Sequence, residues 1–242
     1  MSPRDLVRPA LLRTARTTGL LYLGIALTGL GGHLLIRPQL FDADSPATTL
    51  TQLTGNETLA RIGIALELGI VVTQALAGLW FYRLFRSVDT FAAGSLVAFS
   101  FVNAIAILIS AALLATSLDV ALDTSLAPGG DAAATAQLLY VASDQLWLAG
   151  EIFFGLWLIP MGRLVHLSAW MPRPLGWVLI VGGAAYVLAP FLTYLTDTQL
   201  AASLLALPAT IGEFWMIGYL LVRGVSAEAG SRTKIDLRPP VS

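Results

Sequence analysis

Apolar residues in this chain gather in runs of about 20, the length of α-helix that crosses a hydrocarbon layer of about 30 Å, and nothing else in the sequence limits the fold so strongly. Backbone amides and carbonyls find no water in lipid, so a spanning segment must be a helix or part of a closed barrel. The runs are continuous and do not alternate strictly, which excludes the barrel. Only 12% of the 242 residues are charged, against roughly 25% in a soluble domain, and mean hydropathy is +0.76. An ordinary cytosolic enzyme is therefore excluded. We expect an all-α bundle of six transmembrane helices, about 17–36, 61–83, 91–116, 137–162, 174–195 and 203–222.

Three regions follow: a basic N-terminal segment, 1–16; the helical domain, 17–222; and a polar, disordered tail, 223–242. Arg4, Arg8, Arg13 and Arg16 before the first span resemble the start of a signal peptide. The apolar stretch is too long for one, and no small-residue cleavage pattern follows it. Lys and Arg alternate by loop: Arg4, Arg8, Arg13, Arg16, Arg83, Arg86, Arg163, Arg173, Arg223, Arg232, Lys234 and Arg238 on one side, Arg37 and Arg61 on the other. That asymmetry places both termini in the cytoplasm and the chain in the cytoplasmic (inner) membrane. The bilayer is its first partner. A formal net charge of −1 argues against nucleic acid, and the absence of cysteine removes disulfides, thiolate catalysis and Cys-based metal sites.

The loops carry local signals. Ser45-Pro46 is expected to open a short interfacial helix, and Thr54-Gly-Asn-Glu57 has the spacing of a capping box for the second span. Pro128-Gly129-Gly130-Asp131 should break the chain and cap a long fourth span. Pro160, Pro190 and Pro208 should kink or end their helices. Gly24, Thr28 and Gly32 form a small-residue stripe suited to close helix packing.

The chemistry rests on acids inside spans: Glu67, Asp144, Glu151 and Glu213. A charge at the bilayer centre costs about 2.5–3.5 kcal/mol on insertion scales, so such residues are functional candidates facing the bundle interior. Counted from the outer ends, Glu67 and Asp144 lie about six residues deep, Glu213 about ten and Glu151 about thirteen, so at 1.5 Å per residue they could share one outward cavity. Asp144, Trp147, Glu151 and Gly155 share one helical face, and Glu67, Val71, Gln74 and Gly78 share another. Asn103 sits mid-depth in the third span, and His33 near the outer end of the first can add hydrogen bonds. With Arg37 and Arg61 assigned to the outer boundary, no cation is left to neutralise the acids. Protonation is then the cheapest resolution, and at least one of Glu151 and Glu213 is expected to be neutral and able to donate a proton. Trp147, Phe153, Phe154, Phe214 and Trp215 offer π faces for a cation. His33 and His166 fall at opposite faces, no metal-ligand spacing occurs, and no nucleotide or nucleophile motif is present, so no cofactor is expected.

Arg16-Thr-Thr-Gly19-Leu-Leu-Tyr22-Leu, and Phe153-Phe154-Gly155 through Pro160-Met-Gly162-Arg, Ser168, Pro172-Arg-Pro-Leu175-Gly176 and Gly183-Ala-Ala-Tyr186, resemble a bacterial membrane-protein family named domain of unknown function 4386. The resemblance spans roughly 13–223. It implies a six- or seven-helix bundle and no particular activity. In layout alone the chain is also similar to small membrane-bound terpene cyclases of meroterpenoid and indole-terpenoid pathways, with intramembrane acids on an early and a late helix. Glu67 and Glu213 stand in comparable places.

Three functions remain open. The first is acid/base chemistry on a lipophilic, isoprenoid-like substrate, with Glu213 or Glu151 as acid, Glu67 or Asp144 as base, and Gln74, Asn103, Trp147, Phe154 and Trp215 lining the site. The second is a proton- or cation-coupled carrier of a small molecule. The third is a non-catalytic sensor or partner subunit.

Overall fold

The computed structural model describes residues 3–196 and 199–225 and is helical; among the described residues there are no strands. A helix α1 (Pro3–Gly29) widens into a π-helical segment (Leu30–Ile36) and ends in the single turn α2 (Arg37–Leu40). A short α3 (Pro46–Gly55) follows, then five long helices: α4 (Glu57–Phe85), α5 (Thr90–Leu122), α6 (Ala132–Ser168), α7 (Arg173–Thr196) and α8 (Gln199–Val222). Among the described residues five spans are long and apolar enough to cross a membrane: Pro9–Leu40, Glu57–Phe85, Thr90–Leu122, Ala132–Ser168 and Arg173–Thr196; Leu207–Val222 is a shorter apolar helix. Large apolar side chains on them, such as Leu27, Leu34, Val72, Ile105, Trp177 and Val181, are exposed, as lipid-facing residues are. The tail expected over 223–242 lies outside the described residues from 226 onward.

Helix ends follow local chemistry. Ser45 accepts from the Thr48 amide and Pro46 stands at the first turn of α3, as expected. The capping box is corrected: the Thr54 hydroxyl donates to the Leu50 carbonyl within α3, and Glu57 pairs with Arg61 at 2.7 Å. Gly129 and Gly130 take positive φ, and the Asp131 carboxylate then accepts from the Ala134 amide to start α6. At 37 residues that helix is about 55 Å long, well beyond the hydrocarbon thickness. Pro160, Pro190 and Pro208 all lie inside continuing helices and end none of them, which corrects the expectation of termination.

The chain divides into two compact units. The first comprises Met1–Tyr22, Leu76–Ser100 and Glu151–Ser242. Its core is aromatic: Tyr22, Phe81 and Trp157 meet edge to face with ring centroids 5.4–5.6 Å apart. Glycines bring α6 and α7 into backbone contact, because a Cβ on Gly155 would fall 2.5 Å from the Gly183 carbonyl oxygen and one on Gly162 would overlap that of Gly176.

The second unit comprises Leu23–Ala75 and Phe101–Gly150. The predicted small-residue stripe packs α1 on α4 here. A Cβ on Gly24 would meet the Thr73 methyl at 2.8 Å, the Thr28 methyl reaches the Cβ position of Gly69 at 3.0 Å, and Gly32 lies against Leu66. Ile36, Leu40, Leu53, Leu114, Leu118 and Tyr140 build an apolar core above that seam.

Candidate functional site

The site of the second unit begins with the backbone. In an α-helix the ring of Pro38 would press on the carbonyl four residues back, at Leu34, and it has no amide to donate. The preceding residues wind instead as a π-helix, and the Arg37 amide donates to the Gly32 carbonyl, five residues back. The wider turn seats Arg37 inside the unit, 6% exposed.

That seat turns Arg37 toward the acids and overturns the expectation that no cation neutralises them, for Glu67 and Asp144. Its Nη2 donates toward Glu67 Oε1 at 2.8 Å, Ser143 Oγ at 2.7 Å and Ser110 Oγ at 3.0 Å. Nη1 donates to Asp144 Oδ1 at 3.1 Å. Glu67 is buried, whereas the Asp144 side chain is 52% exposed. Burying two charges costs several kcal/mol each, and only dense pairing and hydrogen bonding offset it. The surroundings supply that density. Ser110 donates to Glu67 Oε2 at 3.0 Å and lies 2.7 Å from Ser143. Trp147 Nε1 donates to Glu67 Oε1 at 3.2 Å, and the Tyr140 hydroxyl donates to the Arg37 carbonyl at 3.0 Å. The guanidinium carbon lies 5.4 Å from the Tyr140 ring centroid and 5.9 Å from that of Trp147, and His33 stacks on Trp147 at 4.2 Å.

Glu67 and Asp144 thus converge on Arg37, and Trp147 on Glu67. Gln74 and Asn103 are buried in the same unit: Asn103 donates to the Gly150 carbonyl at 2.9 Å, while both side-chain polar atoms of Gln74 lack a hydrogen-bond partner. Sequence reasoning missed Arg37, Ser110, Ser143 and Tyr140. Two signals were present: a proline directly after Arg37, and the spacing of Tyr140, Ser143, Asp144 and Trp147 on one face of α6.

The remaining candidates belong to the first unit. The Tyr22 hydroxyl donates to Glu213 Oε1 at 2.7 Å, between two helices separated by most of the chain. Phe154 lies 6.5 Å from Tyr186, ring to ring. Glu151 is partly buried, and Trp215 is 38% exposed.

A narrow cavity in the second unit is lined by Gly32, Ile36, Arg37, Glu67, Leu114 and Tyr140 among others, with room for about one water molecule. No curated protein and no solved structure matches the chain. A family model, described as domain of unknown function (DUF4386), matches residues 17–224. The match takes in all of the residues of both acid sites, and the chain belongs to that family.

Proposed function

We propose that the chain is a six-span protein of the cytoplasmic membrane with both termini inside, and that it carries a small molecule across in exchange with protons or another cation. The Lys/Arg asymmetry supports the topology. Of the two outer arginines, Arg37 is buried and Arg61 is paired with Glu57, which leaves the outer side poorer still in free positive charge.

One observation carries the coupling: a single buried guanidinium holds two carboxylates, on α4 and α6. With all three ionised the cluster has a net charge of −1, counted as one cation against Glu67 and Asp144. The buried Arg37–Glu67 pair is balanced, so the excess negative charge falls to Asp144, whose side chain is 52% exposed and open to a further proton or cation. Asp144 is the exposed member and so the point of entry, and Arg37 joins it to the Ser143–Ser110–Glu67 hydrogen-bond chain. Binding and release of that charge would bias how α4 and α6 hold Arg37 of α2, which is what a coupled carrier needs.

The test is flux in proteoliposomes with a pH-sensitive dye inside. A Na⁺, K⁺ or organic-cation gradient is expected to move protons through the wild-type protein. Asp144→Asn removes that response, while Glu57→Gln leaves it intact. Absence of proton movement under every gradient, or equal movement in Asp144→Asn, refutes the reading.

A second reading has its own support in the other unit. Tyr22 and Glu213 form a phenol–carboxyl pair beside Trp157, a combination suited to acid/base chemistry on a lipophilic, isoprenoid-like substrate. Incubation with linear isoprenoid epoxides and prenylated aromatics checks it. Cyclised product that disappears in Glu213→Gln favours the enzyme over the carrier.

A further inference from the structure

Arg37 has five N–H donors in a planar fork. Four belong to Nη1 and Nη2, and those two nitrogens reach Asp144, Glu67, Ser110 and Ser143. The fifth, on Nε, has no hydrogen-bond partner, although the residue is 6% exposed. A buried donor left unmatched costs about 1–3 kcal/mol. The Nε–H shares its edge of the guanidinium with Nη2, the nitrogen that reaches Glu67. The narrow cavity is lined by both Arg37 and Glu67.

We propose that this cavity is a binding site for an ordered water molecule, which accepts from Arg37 Nε and donates to Glu67. Two features fit water rather than a larger guest. The space admits about one such molecule, and its other walls, Ile36, Leu40, Leu53, Ile64 and Leu114, hold nothing to recognise a larger polar group. An anion is disfavoured by the net charge of −1 on the three ionised groups. A cation is disfavoured because the open group on this edge is a donor. The site stands whether or not the protein is a carrier, since it follows from the geometry of Arg37 alone. Where transport does occur, it supplies a second proton path to Glu67, separate from the serine hydroxyls.

Radiolytic footprinting in ¹⁸O-labelled water reads such a site. Hydroxyl radicals born at a bound water oxidise the side chains around it, however deeply buried. In the full-length protein in detergent, Tyr140, Ile36 and Leu114 are expected to be labelled severalfold more than Phe81 and Trp157, which are also buried but in the other unit. Ala60→Leu, which fills the cavity from α4, should bring Tyr140 down to the level of Phe81. Arg37→Lys keeps the charge but removes Nε–H, and should do the same. Labelling of Tyr140 no greater than that of Phe81 in the wild type overturns the proposal, and so does strong labelling that persists in a folded Ala60→Leu protein. The wild-type comparison needs no variant, so a misfolding substitution does not spare the idea. Proton flux lost with labelling intact would instead refute the carrier alone.

Discussion

Each unit holds a carboxyl group of its site, and the two do so in opposite ways. In the second unit Glu67 meets a full counter-charge, a serine and an indole N–H, all within 3.2 Å. In the first, Glu213 meets a phenol and, among the described residues, no cation. The first arrangement ties three helices together through charge. The second hangs one hydrogen bond on an aromatic core of Tyr22, Phe81 and Trp157, whose stability comes from packing. Removing a polar partner should therefore be costly in one unit and mild in the other, with the reverse order for changes of side-chain volume.

The largest effect should come from Arg37→Met. It strands Glu67 as an unpaired buried charge and is expected to destabilise by about 3–5 kcal/mol. Pairing it with Glu67→Leu should recover most of that loss, because an apolar pair no longer needs neutralising. Thermal unfolding in detergent, followed by tryptophan fluorescence, measures both. If Arg37→Met costs no more than Glu213→Gln, the contrast between the units is wrong.

Next comes backbone packing. Gly162→Ala puts a methyl where the Gly176 carbonyl already lies, and should cost about 1–3 kcal/mol, as overpacking does. Gly24→Ala meets only the Thr73 methyl and should cost less. Equal losses in the same unfolding assay would show that the two helix seams are equally tight.

Tyr22→Phe removes one hydroxyl and leaves the ring. A loss of about 1 kcal/mol is expected, the ordinary net worth of a hydrogen bond. A much larger loss would mean that Glu213 depends on Tyr22 as heavily as Glu67 depends on Arg37.

The smallest effect lies outside the spans. The Asp89 carboxyl is held below its usual range by the Ala92 amide first and by the Arg163 guanidinium as well. A group with a lowered folded-state value stabilises fully above its unfolded value, near about 4, and loses that contribution as pH falls through the folded one. An acid titration of stability should therefore show a slight decline below that range that is missing in Asp89→Asn.

Much of the fold was legible because lipid leaves few choices. Span-length apolar runs predicted five of the long helices, Ser45-Pro46 the short one, and Asp131 the cap of α6. The meeting of Glu67 and Asp144 was legible too, since nearly constant helical rise put them at the same count of residues from their helix ends. What failed was Arg37. Hydropathy placed it at the end of a span, and counting 3.6 residues per turn cannot anticipate a π-helical segment that turns the residue inward. Ser110 and Ser143 were illegible for a different reason: small hydroxyls among apolar neighbours satisfy their own helix carbonyls as readily as a distant ion. Of the two outcomes expected at Pro160, Pro190 and Pro208, ending the helix does not occur, because neighbouring helices in lipid can re-satisfy the groups a proline frees.

Arg37 is fastened at three points: its amide to Gly32, its carbonyl to Tyr140, its guanidinium to two acids. Long basic side chains near the end of a span ordinarily snorkel to the water surface. This one is clamped at the main chain and has no such escape. Any traffic of charge through the unit must then be carried by visitors and by the carboxylates that meet them, while the arginine stays behind as the fixed electrode.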